Sequence, residues 1–401
     1  MAKILLLSNG HGEDLSGALI GKDLQKLDHQ VEAFPFVGHG HSFSRAGIKI
    51  IGKTKEFSTG GLGYTSLLGR VTEILQGQLF YLARRLFRLF SVAGNYDLLV
   101  VIGDVVPVLS AWLTRLPVVT YLVAYSSHYE GKLRLPWPCV NCLSSKRFLS
   151  VYSRDQLTAD DLTNQLLRKV DFLGNPFMDP VLKTQPALPQ IHSRLGLLPG
   201  SRRPELDKNL LLILRMIELL PEANVINNDI SFDIALVPAL DDESLRNLVD
   251  LQVWKLGKSI ERVSCLHLIG KKYRVNIHRD SFVKVLQSSD ILLSMAGTAS
   301  EQAVGLGKPV LQLQGHGPQF TASFAEAQRR LLGPTVFCAD GSVGEEINLR
   351  NTGRLLFDLL FRSKFDLSLQ KECRQQALKR LGAEGGTRRI AHAISKLIGS
   401  F

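Results

Sequence analysis

The chain is poor in sulfur and tryptophan: 401 residues carry five cysteines, four methionines and three tryptophans. The cysteines are scattered at 139, 142, 265, 338 and 373. So odd and sparse a set argues against a disulfide framework and for a reducing compartment. Cys139-Val140-Asn141-Cys142 is a lone CxxC with no second pair and no neighbouring histidine, so it reads as incidental rather than as a zinc or redox site. Long hydrophobic runs are also missing. No apolar stretch reaches transmembrane length. Met1–Leu7 is too short for a signal peptide and is flanked by acids instead of a cleavage site. Repeats and low-complexity tracts are absent. Acids are in deficit: 37 Asp and Glu against 48 Lys and Arg leave a net charge of +11. That balance favours an anionic partner, whether nucleic acid, a phosphorylated substrate or a membrane surface. No interleaved aromatic and basic pattern marks a nucleic-acid surface, so no nucleic-acid partner is expected.

What remains is an ordinary globular balance, 45% hydrophobic and 21% charged, on a chain too long for one core and suited to two domains. The opening stretch sets the pattern. The apolar run Ile4–Leu7 predicts a buried parallel strand. It breaks into Ser8-Asn9-Gly10-His11-Gly12-Glu13-Asp14, and Leu15, Leu19, Ile20, Leu24 and Leu27 then recur at helical spacing. Such a loop falls at the carboxyl end of a strand, where open α/β sheets bind ligands. Gly10 and Gly12 allow close backbone approach, and His11 and Glu13 supply polar groups.

Further strands are predicted at 30–37, 97–102, 118–123 and 148–152. One long helix is predicted over Leu67–Phe90, after an irregular glycine-rich stretch at Glu56–Gly63. The second half begins its own alternation, with strands at 195–198, 232–237, 291–294 and 310–313. The tail, Leu367–Ile398, is helical and basic, with a break at Gly385-Gly386. The expectation is an α/β protein of two Rossmann-like, doubly wound domains facing across a cleft. The boundaries read as 1–175, a linker at 176–190, 191–375, and a helical tail at 376–401 that packs back on the first domain.

Two loops of the second half have phosphate-binding character. In Leu198-Pro199-Gly200-Ser201-Arg202-Arg203-Pro204-Glu205 a strand runs into a turn that opens a helix. Backbone N–H groups there hold phosphate oxygens, and Arg202 adds a planar charged fork. In Ala296-Gly297-Thr298-Ala299-Ser300-Glu301 a strand again meets a small-residue turn. Gly297 admits a phosphate, Thr298 donates to it, and Glu301 lies one turn on, where it can accept from both hydroxyls of a ribose. Glu301 alone would merely favour a helix N-terminus. Two such loops in one domain favour a nucleotide.

These residues resemble the GT-B glycosyltransferases, and most closely the lipid-A-disaccharide synthases, over nearly the whole chain. Gly12-Glu13 with Gly17-Ala18, Val37-Gly38-His39-Gly40, Ile51-Gly52 and Glu56–Gly61 are similar to that family's first segments. Ile102-Gly103-Asp104 stands where it has an Asp after a strand. Gly174-Asn175-Pro176-Phe177-Met178-Asp179 is similar to its GHPxxD, Leu198–Arg202 with Glu205 to its LPGSRxxE, and Ala296–Ala299 to its SGTA. Two departures mark a divergent relative. Leu122–Tyr129 reads LVAYSSHY where the family has SPxVWAW, and the family's ribose acid aligns with Gln302. Gly297–Glu301 instead resembles the GTxxE of galactolipid synthases.

The resemblance implies an inverting transfer from a UDP-sugar, with no metal and no cofactor. Such a reaction needs a base for the acceptor hydroxyl and positive or N–H groups for the leaving diphosphate. Asp104 and His11 are the two candidate bases. An Asp after a strand is often only a helix cap, and a loop His often only a hydrogen-bond donor. Arg202 would neutralise the departing UDP, and Gln319 would reach the donor sugar, as a glutamine does in related transferases.

The helix predicted over Leu67–Phe90 fits a lipid acceptor and an anionic membrane surface. It has a broad leucine face widened by Phe80, Phe87 and Phe90, with Arg70, Arg84, Arg85 and Arg88 towards the other side. A domain-core helix is the rival. The expectation is a peripheral enzyme on the cytoplasmic face of a membrane. A UDP-sugar 2-epimerase, which needs no apolar acceptor surface, and a nucleotide-sugar-binding protein without catalysis are the alternatives. Sugar, acceptor and oligomeric state are open.

Overall fold

The computed structural model describes residues 1–55, 78–189, 193–221, 230–250, 252–258, 266–315 and 321–399. The predicted stretch at Glu56–Gly63, the first half of the predicted long helix and Gln319 lie outside the described residues. The chain divides into two compact units, Met1–Asp179 with Gly382–Phe401, and Pro180–Leu381.

Among the described residues the first unit has seven parallel strands: β1 (Lys3–Ser8), β2 (Gln30–Pro35), β3 (Lys49–Ile50), β4 (Leu98–Ile102), β5 (Val118–Leu122), β6 (Phe148–Ser153) and β7 (Asp171–Phe172). Their order is β3-β2-β1-β4-β5-β6-β7. The central strands are unbroken apolar runs because both faces of the sheet are covered. Side chains alternate between the faces. Leu5, Leu7, Leu99 and Val101 join one apolar cluster, while Ile4, Leu6, Leu98 and Val100 join another. The winding reverses between β1 and β4, which pair directly through Ile4↔Leu98 to Ser8↔Ile102.

The last helix, Gly386–Ile398, belongs to this unit. Ile390, Ala391 and Ile394 share the cluster of Ile4 and Leu6. Asp179 anchors its start: its carboxylate accepts the N–H groups of Gly385, Gly386 and Thr387 at 2.7, 3.2 and 2.8 Å. A carboxylate there also complements the positive end of the helix dipole. Part of the segment read as a linker is therefore packed structure. Phe177 and Met178 are buried in a 3-10 turn, Pro176–Met178.

Among the described residues the second unit carries eight strands: β8 (Ser193–Leu198), β9 (Ile230–Leu236), β10 (Lys255–Lys258), β11 (Leu266–Ile269), β12 (Arg274–Arg279), β13 (Ile291–Ser294), β14 (Val310–Gln312) and β15 (Val336–Cys338). Their order is β10-β11-β12-β9-β8-β13-β14-β15. The pairs β10–β11 and β11–β12 are antiparallel, and the rest are parallel. The winding reverses here between β8 and β13. Each unit is thus a doubly wound Rossmann-like sheet, as the alternation predicted.

Candidate functional site

In an open α/β sheet the crevice beyond the carboxyl ends of the strands, where the winding reverses, is the natural ligand site. In the first unit that place is formed by the residues after β1 and β4. The helix His11–Lys26 begins at once, so Gly12, Glu13 and Asp14 lie in its first turn rather than in a loop. Acids there suit the helix N-terminus. Gly10 immediately precedes the helix, and His11 is its first residue.

Asn9 ties the two loops together. Its backbone N–H donates to Glu13 Oε2 at 2.6 Å, and its Nδ2 donates to Asp104 Oδ2 at 2.8 Å. Asp104 Oδ1 accepts the Val106 N–H at 2.9 Å and so caps the helix Val105–Leu113. Gly103 has φ +147° and leaves room for Glu13: a Cβ there would lie 2.6 Å from Glu13 Oε2. The Tyr125 hydroxyl accepts the Val105 N–H at 3.1 Å. Burial and the Asp104 charge push the Tyr125 phenol up, so it keeps its proton. Burial, then Asp104, also raises Glu13 well above the usual carboxylate range, against the lowering effect of the Asn9 N–H. Sequence reasoning missed Asn9. Its only signal is its place between a strand and the first residue of a helix.

Asp14 lies beside this group and accepts from Ser8 Oγ at 2.6 Å. Its Oδ2, like Asn9 Oδ1, is buried without a hydrogen-bond partner among the described residues. Burial pushes Asp14 up to about 7, against the lowering effect of the Ser8 bond. A carboxyl whose folded pKa lies above its unfolded one gives stability below about pH 4, lost as pH rises through about 7. Three pH units correspond to about 4 kcal/mol. We expect the resistance of the first unit to denaturant to fall from pH 5 to pH 8, and Asp14→Asn to flatten that slope. An unchanged slope in the variant would show that Asp14 does not titrate in this range.

In the second unit the loops after β8 and β13 leave the sheet side by side. Ser294 pairs with Leu198, and the Met295 N–H donates to the Leu198 carbonyl at 2.8 Å. Gly200 has φ +101°, a conformation that favours glycine, and a Cβ there would lie 3.4 Å from the Met295 carbonyl oxygen. Asn209 Nδ2 donates to the Pro199 carbonyl at 2.9 Å and ties the loop to the helix Glu205–Glu218. That helix starts at Glu205, so Gly200, Ser201 and Arg202 precede it instead of opening it. The neighbouring Arg203 pairs with Asp207 at 2.9 Å. The second loop does open a helix directly, Thr298–Gly305, with Gly297 at its N-cap. Ala299 is its second residue, and nothing lies within 4 Å of where a Gly297 Cβ would stand. Glu301 is half-buried, whereas Gln302, at the position of the family's ribose acid, is buried.

The helix Gln78–Ala93 exposes aromatic and basic residues together. Phe80, Phe87 and Phe90 are 77%, 74% and 44% exposed, alongside exposed Arg84 and Arg88. Arg85 corrects the membrane expectation: it is 3% exposed. Its Nη2 donates to the Pro35 carbonyl at 2.6 Å, and its Nη1 donates to the Ile51 and Lys53 carbonyls, each at 3.2 Å. Its guanidinium lies 3.7 Å from the centre of the Phe34 ring. Burial lowers its pKa to about 10, so it is charged at neutral pH. Arg85 satisfies backbone carbonyls within the unit and cannot reach a membrane.

Among the described residues no group of His, Cys, Asp and Glu could hold a metal ion, and no helix is long and apolar enough to cross a membrane.

No family model matches the chain, and no curated protein matches it. Solved structures do. The calicheamicin glycosyltransferase CalG4 is 16% identical, with a TM-score of 0.61 over 100% of this chain and 98% of that one. MnaA of S. aureus, solved with UDP, is 14% identical, with a TM-score of 0.58 over 100% and 98%. The UDP-GlcNAc 2-epimerase of Neisseria meningitidis, bound to UDP-GlcNAc, is 17% identical, with a TM-score of 0.53 over 98% and 100%. The chain has the GT-B fold.

Proposed function

We propose that the protein transfers a sugar from a UDP-sugar to a lipid-linked acceptor on the cytoplasmic face of an anionic membrane. The observation that carries nucleotide-sugar use is the pair of small-residue loops at the winding reversal of the second sheet. Neighbours of the same fold are described with UDP or UDP-GlcNAc bound. In this reading the diphosphate takes the N–H groups at Gly297 and Thr298, Glu301 accepts from the ribose hydroxyls, and Arg202 meets the departing charge. Asp104 takes the proton of the acceptor hydroxyl as its oxygen bonds to the anomeric carbon and the bond to UDP breaks, with inversion. Glu301→Ala should weaken UDP binding by about 1–3 kcal/mol, the cost of leaving polar partners unpaired. An unchanged calorimetric affinity would remove Glu301 from the site.

Epimerisation of a UDP-sugar is the second reading, favoured by the epimerases among the neighbours. The exposed Phe80, Phe87 and Phe90 beside Arg84 and Arg88 favour transfer to a lipid, because amphipathic basic helices bind anionic bilayers. Each arginine near such a surface contributes about 1 kcal/mol. Replacing Arg84 and Arg88 with Gln should therefore weaken sedimentation with phosphatidylserine vesicles by roughly 30-fold. Wild-type protein that ignores such vesicles at low salt would end the membrane assignment.

A further inference from the structure

Behind the loop Met295–Gly297 stands a buried glutamine that the proposed chemistry does not use. Gln328, 4% exposed, lies on the helix Ala322–Leu332. Its Nε2 donates to the Gly297 carbonyl at 3.1 Å and to the Ala296 carbonyl at 3.4 Å. Ser300 Oγ donates to the same Ala296 carbonyl at 2.6 Å. Gln312, buried at the end of β14, donates from its Nε2 to Gln328 Oε1 at 2.6 Å. That bond turns the Gln328 amide so that its NH2 faces the loop.

In a trans peptide the carbonyl and the following N–H point in opposite directions. Holding the carbonyls of Ala296 and Gly297 towards Gln328 turns the N–H groups of Gly297 and Thr298 the other way. These are donors at the open end of the helix Thr298–Gly305, which have no carbonyl four residues back in the helix to accept them. A carboxamide suits position 328. It accepts from Gln312 and donates to two carbonyls, whereas a carboxylate could not donate at all.

We infer that Gln328 is a positioning residue for an anionic ligand: it holds the Ala296–Thr298 backbone so that two N–H groups face the diphosphate of a nucleoside diphosphate. The inference rests on the nucleotide reading above, and adds to it the residue that aims the loop.

The test is calorimetric titration of wild type, Gln328→Met and Gln328→Glu with UDP, uridine and inorganic pyrophosphate. Both variants should lose about 10- to 30-fold in affinity for UDP and pyrophosphate, the equivalent of one or two hydrogen bonds, and keep their affinity for uridine. Gln312→Met, which removes the bond that orients Gln328, should move in the same direction by less. Equal loss for UDP and uridine would make Gln328 a purely structural residue and overturn the inference, as would unchanged UDP affinity in folded variants. If the Gln328 variants do not fold, Gln312→Met decides on the same two criteria. Wild type that binds pyrophosphate but not UDP would end the nucleotide reading, and Gln328 would then be judged on pyrophosphate. Binding of neither would overturn both.

Discussion

Asp104→Ser should lower sugar transfer by about 100- to 10,000-fold, the range a positioned general base supplies. UDP affinity should be unchanged, because the proposed nucleotide contacts lie in the other unit. Serine is the informative replacement. Asp104 caps the helix Val105–Leu113 through the Val106 N–H and also accepts from Asn9 Nδ2. Serine is a good N-cap and can keep the first bond. Asparagine would set an amide NH2 against one of these two donors. The measurement is turnover of the donor and lipid, alongside UDP titration of the same protein. Near-normal turnover in Asp104→Ser, with activity abolished in His11→Ala, would move the base to the first residue of the opening helix.

The second large effect is on stability. Asp233, on β9, is buried with four partners, of which Asn276 Nδ2 donates to it at 3.4 Å. Arg194 Nη1 and His278 Nε2 each lie 2.6 Å from its carboxylate, and Ser231 Oγ donates to it. Burial alone would raise the Asp233 pKa, but His278, Ser231 and Arg194 outweigh it and hold the carboxyl below the usual range. Arg194→Met should destabilise the second unit by about 3–5 kcal/mol, the cost of stranding a buried charge. A group with a depressed folded pKa gives stability above its unfolded pKa, near 4, that is lost as pH falls through the folded value. The second unit should therefore weaken in acid, opposite in sign to the Asp14 effect in the first. Hydrogen exchange of β8, β9 and β12 during denaturant titration reads this directly. A loss below about 1 kcal/mol would place the ion pair among those that contribute little.

The parts of the fold legible in the sequence are those set by local pattern. Strands such as Leu98–Ile102 and Ile291–Ser294 are short, unbroken and apolar because they are covered on both faces. The tail breaks at Gly385-Gly386 where Asp179 captures the next helix. The antiparallel strands β10–β12 escaped notice because they carry lysine, histidine, arginine and asparagine between their apolar residues.

At the candidate site the sequence marked positions but not partnerships. Asp104 was visible as an acid after a strand. That Asn9 bridges it to Glu13, and that Gly103 is a glycine to admit the Glu13 carboxylate, depends on residues more than 80 positions apart meeting at the β1–β4 reversal. Arg85 could not be told from Arg84 and Arg88, because what separates them is a rotation of about 60–100° around the helix and the carbonyls of Pro35, Ile51 and Lys53. Gln328 carries no local signature, since its role comes wholly from the loop it supports.

The measurement closest to the central claim follows both products of one reaction. The UDP-sugar that most raises the melting temperature is incubated with the protein and anionic vesicles of mixed membrane lipid. UDP and glycosylated lipid are then quantified together. The account predicts that UDP appears one-for-one with a glycosylated lipid, and only when lipid is present. Conversion of the UDP-sugar to an isomer without lipid, or the absence of any UDP-sugar that stabilises the protein, would contradict it.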